Sequence, residues 1–148
     1  MIRNIVVVCT GNLYRSPIAE TLLQAALPEC EVRSAGLHAA LGMLAPTLLK
    51  EMFAARGLAR PHWAPWQIGN PDVARADLLL VMEAAQKREL EGRFLAAAGK
   101  TFLFGAAAGG DIGDPHGDAD VLEHCFERIE RCVPEWVQRI DALNGVRA

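Results

Sequence analysis

The sequence predicts an α/β fold of three layers, an open, parallel, four-stranded sheet with helices on both faces. Two observations predict it. Aliphatic or β-branched runs of four or five residues recur along the chain, apolar at every position as in strands buried on both faces. Between them lie longer segments with apolar residues at helical spacing, the alternation that parallel sheets with helical crossovers require. No repeat, low-complexity tract or dividing linker interrupts the 148 residues, so 1–148 reads as one domain.

The elements follow in order. Ile5-Val6-Val7-Val8 is the first strand and ends at Cys9. Residues 17–27 carry Ile18, Leu22 and Leu23 on one helical face, with Pro17 suited to a first helical position. Val32–Ala35 is a strand made polar enough for a sheet edge by Glu31 and Arg33. Leu48, Leu49, Met52 and Phe53 form a helical stripe closed by Gly57. Leu58–Pro71, with three prolines and two tryptophans, reads as loop. Leu78–Met82 is a buried strand, Glu83–Phe94 a helix and Thr101–Phe104 a further buried strand. A last helix runs from about Ala119 to Leu143, with Leu122, Phe126, Ile129, Val133, Val137 and Ile140 on one face and a kink expected at Pro134.

Composition narrows the function classes. A net charge of −3 gives no footprint for nucleic acid, so an anionic ligand has to be captured by local charge. The longest apolar runs are far too short to span a bilayer, and no basic segment leads into an apolar one at the start. A cytoplasmic protein without membrane insertion is expected. Cys9, Cys30, Cys125 and Cys132 include no C-x-x-C pair and read as free thiols in a reducing compartment. His38, His62 and His124 lack metal-ligand company, and neither a metal nor a cofactor is expected. Glu127, Arg128, Glu130 and Arg131 read as a solvated helix face, and Trp63 and Trp66 as loop packing.

Ligands of such sheets bind at the carboxyl ends of strands, which directs attention to Cys9-Thr10-Gly11-Asn12-Leu13-Tyr14-Arg15-Ser16-Pro17. A strand ends, a short loop turns and a helix begins. Such a loop aims successive backbone N–H groups inward at the positive end of a helix dipole and makes an anion-binding nest. Gly11 permits close approach or positive φ, and Asn12 tolerates a left-handed conformation. Thiols in such settings titrate at roughly 3.5–7.5 instead of about 8.5, which would leave a nucleophile ionised at neutral pH. Arg15 offers a planar fork to two phosphate oxygens, and Ser16 a hydroxyl to the sulfur. A cysteine ending a buried strand is more often packing, and Ser16-Pro17 is also an ordinary N-cap with proline at N1. The strand, Gly-Asn loop and helix together favour the chemical reading. The sequence has no G-x-x-x-x-G-K-[ST], G-x-G-x-x-G or calcium-loop pattern.

Cleavage of a phosphate ester also needs a proton for the leaving oxygen. Gly109-Gly110-Asp111-Ile112-Gly113-Asp114-Pro115-His116-Gly117-Asp118 follows the last buried strand, and parallel topology brings it to the end of the sheet where Cys9 lies. Composition leaves Asp111 and Asp114 both open as the acid.

The run Val8–Pro17 resembles the signature of the low-molecular-weight protein tyrosine phosphatases. Ser34-Ala35-Gly36, Ala76 to Glu83 and Asp114-Pro115 resemble that family's second strand, third strand and acid loop in the same order. The resemblance implies Cys9 as nucleophile, Arg15 as phosphate clamp and Asp114 as acid, then base. It further implies Asn12 and Ser16 as loop and thiolate support, with Ser34 behind Asn12. Thr10, Gly11, Asn12, Leu13, Tyr14 and Ser16 would surround the substrate; Leu13, Tyr14, Leu41 and His116 are put on the pocket rim by loop position alone, apart from the resemblance. It is closest to the bacterial branch acting on tyrosine kinases that control capsule or exopolysaccharide export. The implied partner is thus a phosphotyrosine protein, a bacterial tyrosine kinase, met by a monomer or weak dimer. Two positions depart from the family pattern. Tyr14 stands where many members have a second loop cysteine, and His116 where an aromatic residue usually follows Asp-Pro. Imidazole still stacks on a phenol ring, and when charged it favours phosphate.

Two other readings share this fold or loop. A thioredoxin-linked arsenate reductase needs a relay pair of cysteines. Cys125 and Cys132 are seven residues apart, about 10 Å along a helix and beyond disulfide reach, and they follow the Asp-Pro loop instead of preceding it. A non-catalytic phosphotyrosine-binding module is the other reading; Cys9, Arg15 and Asp114 standing together argue against it, and Tyr14 and His116 leave it open.

Overall fold

The structure, a computed structural model, describes residues 1–58, 60 and 62–145; Pro61, one of the prolines behind the expected loop, lies outside them. Its elements are β1 (Asn4–Cys9), α1 (Arg15–Ala26), β2 (Glu31–Gly36), α2 (Thr47–Ala55), α3 (Asn70–Arg75), β3 (Leu78–Val81), α4 (Ala84–Arg93), β4 (Thr101–Leu103) and α5 (Ala119–Leu143), with a 3₁₀ turn at Leu95–Ala97. The strands pair in parallel in the order β2-β1-β3-β4, as the alternating pattern requires.

Successive strand side chains point to opposite faces, and β1 divides its own between two cores. Ile5, Val7 and Cys9 join Leu78 and Leu80 with Ile18 and Leu23 of α1, Phe53 of α2 and Phe126 and Ile129 of α5. Val6 and Val8 join Leu79 and Val81 with Val73 of α3 and Leu90 of α4. Phe126 anchors the first core, with its ring 5.6 Å from that of Phe53 in an edge-on arrangement and the Arg56 guanidinium 4.0 Å above it. From β1 the sheet grows toward β2 on one side and toward β3 and β4 on the other. The crevice that such a switch point creates lies at the carboxyl end of β1.

Several local expectations need correction. α1 begins at Arg15, so Pro17 is its third residue, and its N-cap, Tyr14, makes no side-chain capping bond. Residues 58–71 are not loop throughout, because α3 starts at Asn70 with a proline in its first turn. Pro71 starts this helix instead of breaking one, since proline is favoured in the first helical turn. β4 is a three-residue edge strand instead of a buried one, and its Phe102 is 43% exposed. Trp63 belongs to the core, edge-on to Phe53 at 5.7 Å, while Trp66 is exposed.

Candidate active site

Cys9 is the last residue of β1 and is only 2% exposed, yet it forms the floor of an open cleft of about 270 Å³ lined by Gly11, Leu13, Tyr14, Arg15, Asp114 and His116. Loop 10–14 rises around it. Asn12 is the residue that takes the left-handed conformation, at φ 59°. Gly11 keeps a negative φ, and a Cβ there would meet nothing nearer than a side-chain carbon at 3.8 Å, so positive φ is not what Gly11 supplies. The close approach comes at Gly36, where a Cβ would stand 2.7 Å from the Thr10 carbonyl oxygen.

The loop spends its carbonyls and keeps its amides. The Thr10 and Gly11 carbonyls accept from His38 and Ala40 N–H at 2.9 Å each. Among the described residues, the N–H groups of Gly11, Asn12, Leu13 and Tyr14 donate to no protein acceptor. With no side-chain cap on α1, its first-turn amides are free as well. The result is a concave set of donors at the positive end of a helix, directly above a sulfur.

Side chains fix this loop from below. The Ser16 hydroxyl lies 3.0 Å from Cys9 Sγ, which replaces the N-cap reading of Ser16. Asn12 Nδ2 donates to Ser16 Oγ at 2.8 Å and to Ser34 Oγ at 2.9 Å, while Asn12 Oδ1 accepts from Trp66 N–H at 2.9 Å. The Thr10 hydroxyl accepts from Gln86 Nε2, and Gln86 Oε1 accepts from the Met82 and Glu83 amides, tying the loop to the start of α4. Asn12 and Ser16 therefore brace the loop with buried side chains, and Thr10 faces Gln86.

Arg15 is 2% exposed, and its charge is met by Glu83 at 3.3 Å and Asp114 at 4.0 Å. Its Nη1 donates to the Ile112 carbonyl at 2.8 Å. Nε and Nη2 donate no hydrogen bond among the described residues and are available to a ligand in the cleft. Glu83 was not singled out from the sequence; its position, directly after a buried strand that ends beside Cys9, was the signal available.

The Gly109–Asp118 loop reaches the cleft as expected, and its two aspartates separate. Asp111 Oδ1 accepts from the Ala84 N–H at 2.8 Å, outside the cleft. Asp114 lines the cleft, with Oδ1 accepting from the His116 N–H at 2.9 Å. His116 holds φ 50° and an exposed ring 3.8 Å from Asp114. Tyr14 lies beneath it, since a Cβ on Gly117 would be 3.1 Å from the phenol oxygen. Arg128 is no solvated residue; it donates to the Asp111 carbonyl at 2.6 Å and the Ala108 carbonyl at 3.1 Å, pinning the acid loop to α5. Leu41 is 66% exposed in the turn after the Ala40–Gly11 bond and does not line the cleft. Burial pushes the Cys125 thiol up to about 11, opposed by the nearby Arg15 charge.

A thiol, a ring of free amides, a buried guanidinium and one carboxylate at the mouth share one cleft, an arrangement able to hold a phosphate ester above the sulfur. Residues 4–144 match the family described as low molecular weight phosphotyrosine protein phosphatase, and the chain belongs to that family. It is 41% identical over 145 residues to a probable low molecular weight protein-tyrosine-phosphatase, EpsP, of Ralstonia nicotianae, covering 97% of this chain and 100% of the relative. Among solved structures it resembles the tyrosine phosphatase Wzb of Escherichia coli K30 in complex with sulphate, with a TM-score of 0.89, 30% identity and coverage of 95% of this chain and 99% of that one. It also resembles the YwlE arginine phosphatase of Geobacillus stearothermophilus, with a TM-score of 0.86, 31% identity and coverage of 95% and 94%.

Proposed function

We propose that this enzyme hydrolyses phosphotyrosine in a protein through a phosphocysteine on Cys9. Its substrate class would be a bacterial tyrosine kinase or a partner in polysaccharide synthesis or export, as the resemblance of the loop and chain implies. The observation that carries the reading is the cleft itself. The Cys9 sulfur lies at its floor, unpaired amides surround it, and Arg15 and Asp114 close it from the other side.

The phosphoryl oxygens take the amides of residues 11–15 and the free edge of the Arg15 guanidinium. The Cys9 thiolate attacks phosphorus in line, forming the S–P bond as the P–O bond to the aryl group breaks. Asp114 gives its proton to the departing phenolate oxygen. Water then attacks the phosphocysteine and transfers its proton to the Asp114 carboxylate. The S–P bond breaks with its electron pair returning to sulfur, eased by the Ser16 hydroxyl beside it. Most of the rate comes from positioning and from donors aimed at the charge of the transferring group. No step calls for a metal or a cofactor.

Replacing Cys9 with serine should abolish turnover of a phosphotyrosine peptide and of para-nitrophenyl phosphate. Retention of substantial activity would eliminate the scheme. Phosphotyrosine should also be the preferred ester; faster release of phosphate from a phosphoarginine peptide would move the assignment to the other activity named among its structural relatives.

A further inference from the structure

Behind the catalytic loop, the hydrogen bonds that hold Asn12 continue to a carboxylate that the mechanism does not use. Ser34 Oγ donates to Glu20 Oε1, one turn along α1 from Ser16. Arg60 holds the same carboxylate oxygen through Nη2 at 3.0 Å, and donates from Nη1 to Thr21 Oγ1 at 2.9 Å. Glu20 and Arg60 are both about four-fifths buried, with side-chain exposures of 19% and 20%.

The donors in this chain have a forced direction. The Trp66 backbone N–H can only donate, so the Asn12 oxygen must face it and both Asn12 amide hydrogens must face the two serines. A carboxylate beside Arg60 can only accept, so the single Ser34 hydrogen goes to Glu20 and the Ser34 lone pairs to Asn12. Ser16 Oγ then accepts from Asn12, which leaves its own hydrogen for the Cys9 sulfur at 3.0 Å.

We propose that Glu20, held by Arg60, is a positioning residue that orders this chain so that Ser16 donates to the Cys9 sulfur. The inference rests on Cys9 being the nucleophile. Without the carboxylate the Ser34 hydrogen is free to turn toward Asn12 Nδ2, so that two donors face each other; Asn12 keeps its orientation through the Trp66 N–H but is held less firmly in place, and with it the Ser16 hydrogen on sulfur. The charged groups around the two ends are few. Arg60 faces Glu20 from the 58–71 segment, and Arg33 and Asp72 line the same rear cleft. Arg15 with its partner Glu83, Asp114, His116, Tyr14 and the neutral Cys125 thiol stand around Cys9.

The test is the pH at which alkylation of Cys9 by iodoacetamide is half-maximal, read by peptide mapping in the full-length protein. Glu20→Gln keeps the shape and removes the charge; it should move that midpoint up by about one pH unit, a tenfold change in the ionisation equilibrium. The acid limb of kcat/KM should move in the same direction. Ser34→Ala should produce a similar shift, and adding Glu20→Gln to Ser34→Ala should add little, because both act along one chain. A lower Tm with an unmoved midpoint would reduce Glu20 to a fold-stabilising residue and overturn the proposal. So would equal, additive shifts in the two backgrounds. Loss of activity in step with Cys9 alkylation in the unaltered enzyme checks the nucleophile separately.

Discussion

Asp114 presents one oxygen to the His116 amide at 2.9 Å and the other to Arg15 at 4.0 Å, at the mouth of a cleft whose floor is sulfur. A group so placed stands where the leaving oxygen of a bound ester would lie, and under the proposed mechanism it protonates that oxygen and leaves the nucleophile alone. Asp114→Ala should therefore slow tyrosine phosphate by about 10²–10⁴-fold, and an ester with an acidic leaving group far less; equal losses in steady-state kinetics would refute the assignment. Cys125 makes the contrasting residue. With its thiol raised to about 11 by burial, it should stay unmodified by iodoacetamide at neutral pH while Cys9 reacts. The folded state keeps a proton that the unfolded thiol releases, so this contribution to stability holds below the unfolded value of 9.0 and is lost as pH rises past it.

At the scale of elements, the active-site loops are held by side chains from outside themselves. Arg128 of α5 ties down the carbonyls of Ala108 and Asp111. Arg128→Met should lower kcat on phosphotyrosine severalfold while leaving the rate of Cys9 alkylation unchanged, since the acid loop moves and the nucleophile loop does not. Asp77 does similar work at the far end of the sheet. It accepts from Arg3 and Asn4 N–H at 2.9 and 2.8 Å, and these backbone bonds, the Asn4 one foremost, lower its pKa from the ordinary 3.8 despite some burial. Its contribution is present above the unfolded value and is lost as pH falls through the depressed folded one. Asp77→Asn should thus lower Tm at neutral pH by a few degrees and flatten the fall in Tm below about pH 4; identical acid limbs would contradict this. The elements themselves were legible where pattern was dense. Ile5–Val8 and Leu78–Met82 showed their type as short, unbroken apolar runs, and α5 through its long helical stripe. α3 is not legible because six residues hold too few apolar positions for a period, and a proline such as Pro71 marks a loop and a helix start alike.

For the whole molecule, the order β2-β1-β3-β4 places the one strand that ends in cysteine at the switch point and covers both faces with helices. Stability and catalysis are separable at this scale. Phe126→Ala, in the core beneath α1 and α2, should cost about 3–5 kcal/mol in urea unfolding and leave kcat unaltered wherever the protein remains folded. Cys9, Arg15 and Asp114 could be singled out from the sequence because each sits in a local motif that resembles the family's, and the structure brings the three to one cleft. Asp114 and Asp111 could not be separated from composition, because the choice depends on the Ala84 amide that claims Asp111 from another element. Glu83, Arg128 and Glu20 stayed hidden for the same reason, since their partners lie 14 or more positions away on other elements. Leu41, placed on the rim from loop position alone, lies outside the cleft because its turn carries it into solvent.

The most direct measurement is to quench a phosphotyrosine turnover in acid within its first cycle and map the phosphoryl group by mass spectrometry of the digested enzyme. The account predicts one phosphoryl group on the peptide containing Cys9, appearing with the first equivalent of tyrosine and decaying as phosphate is released. A full first equivalent of both products with no phosphoryl group on that peptide, or with the group on His116, would contradict it.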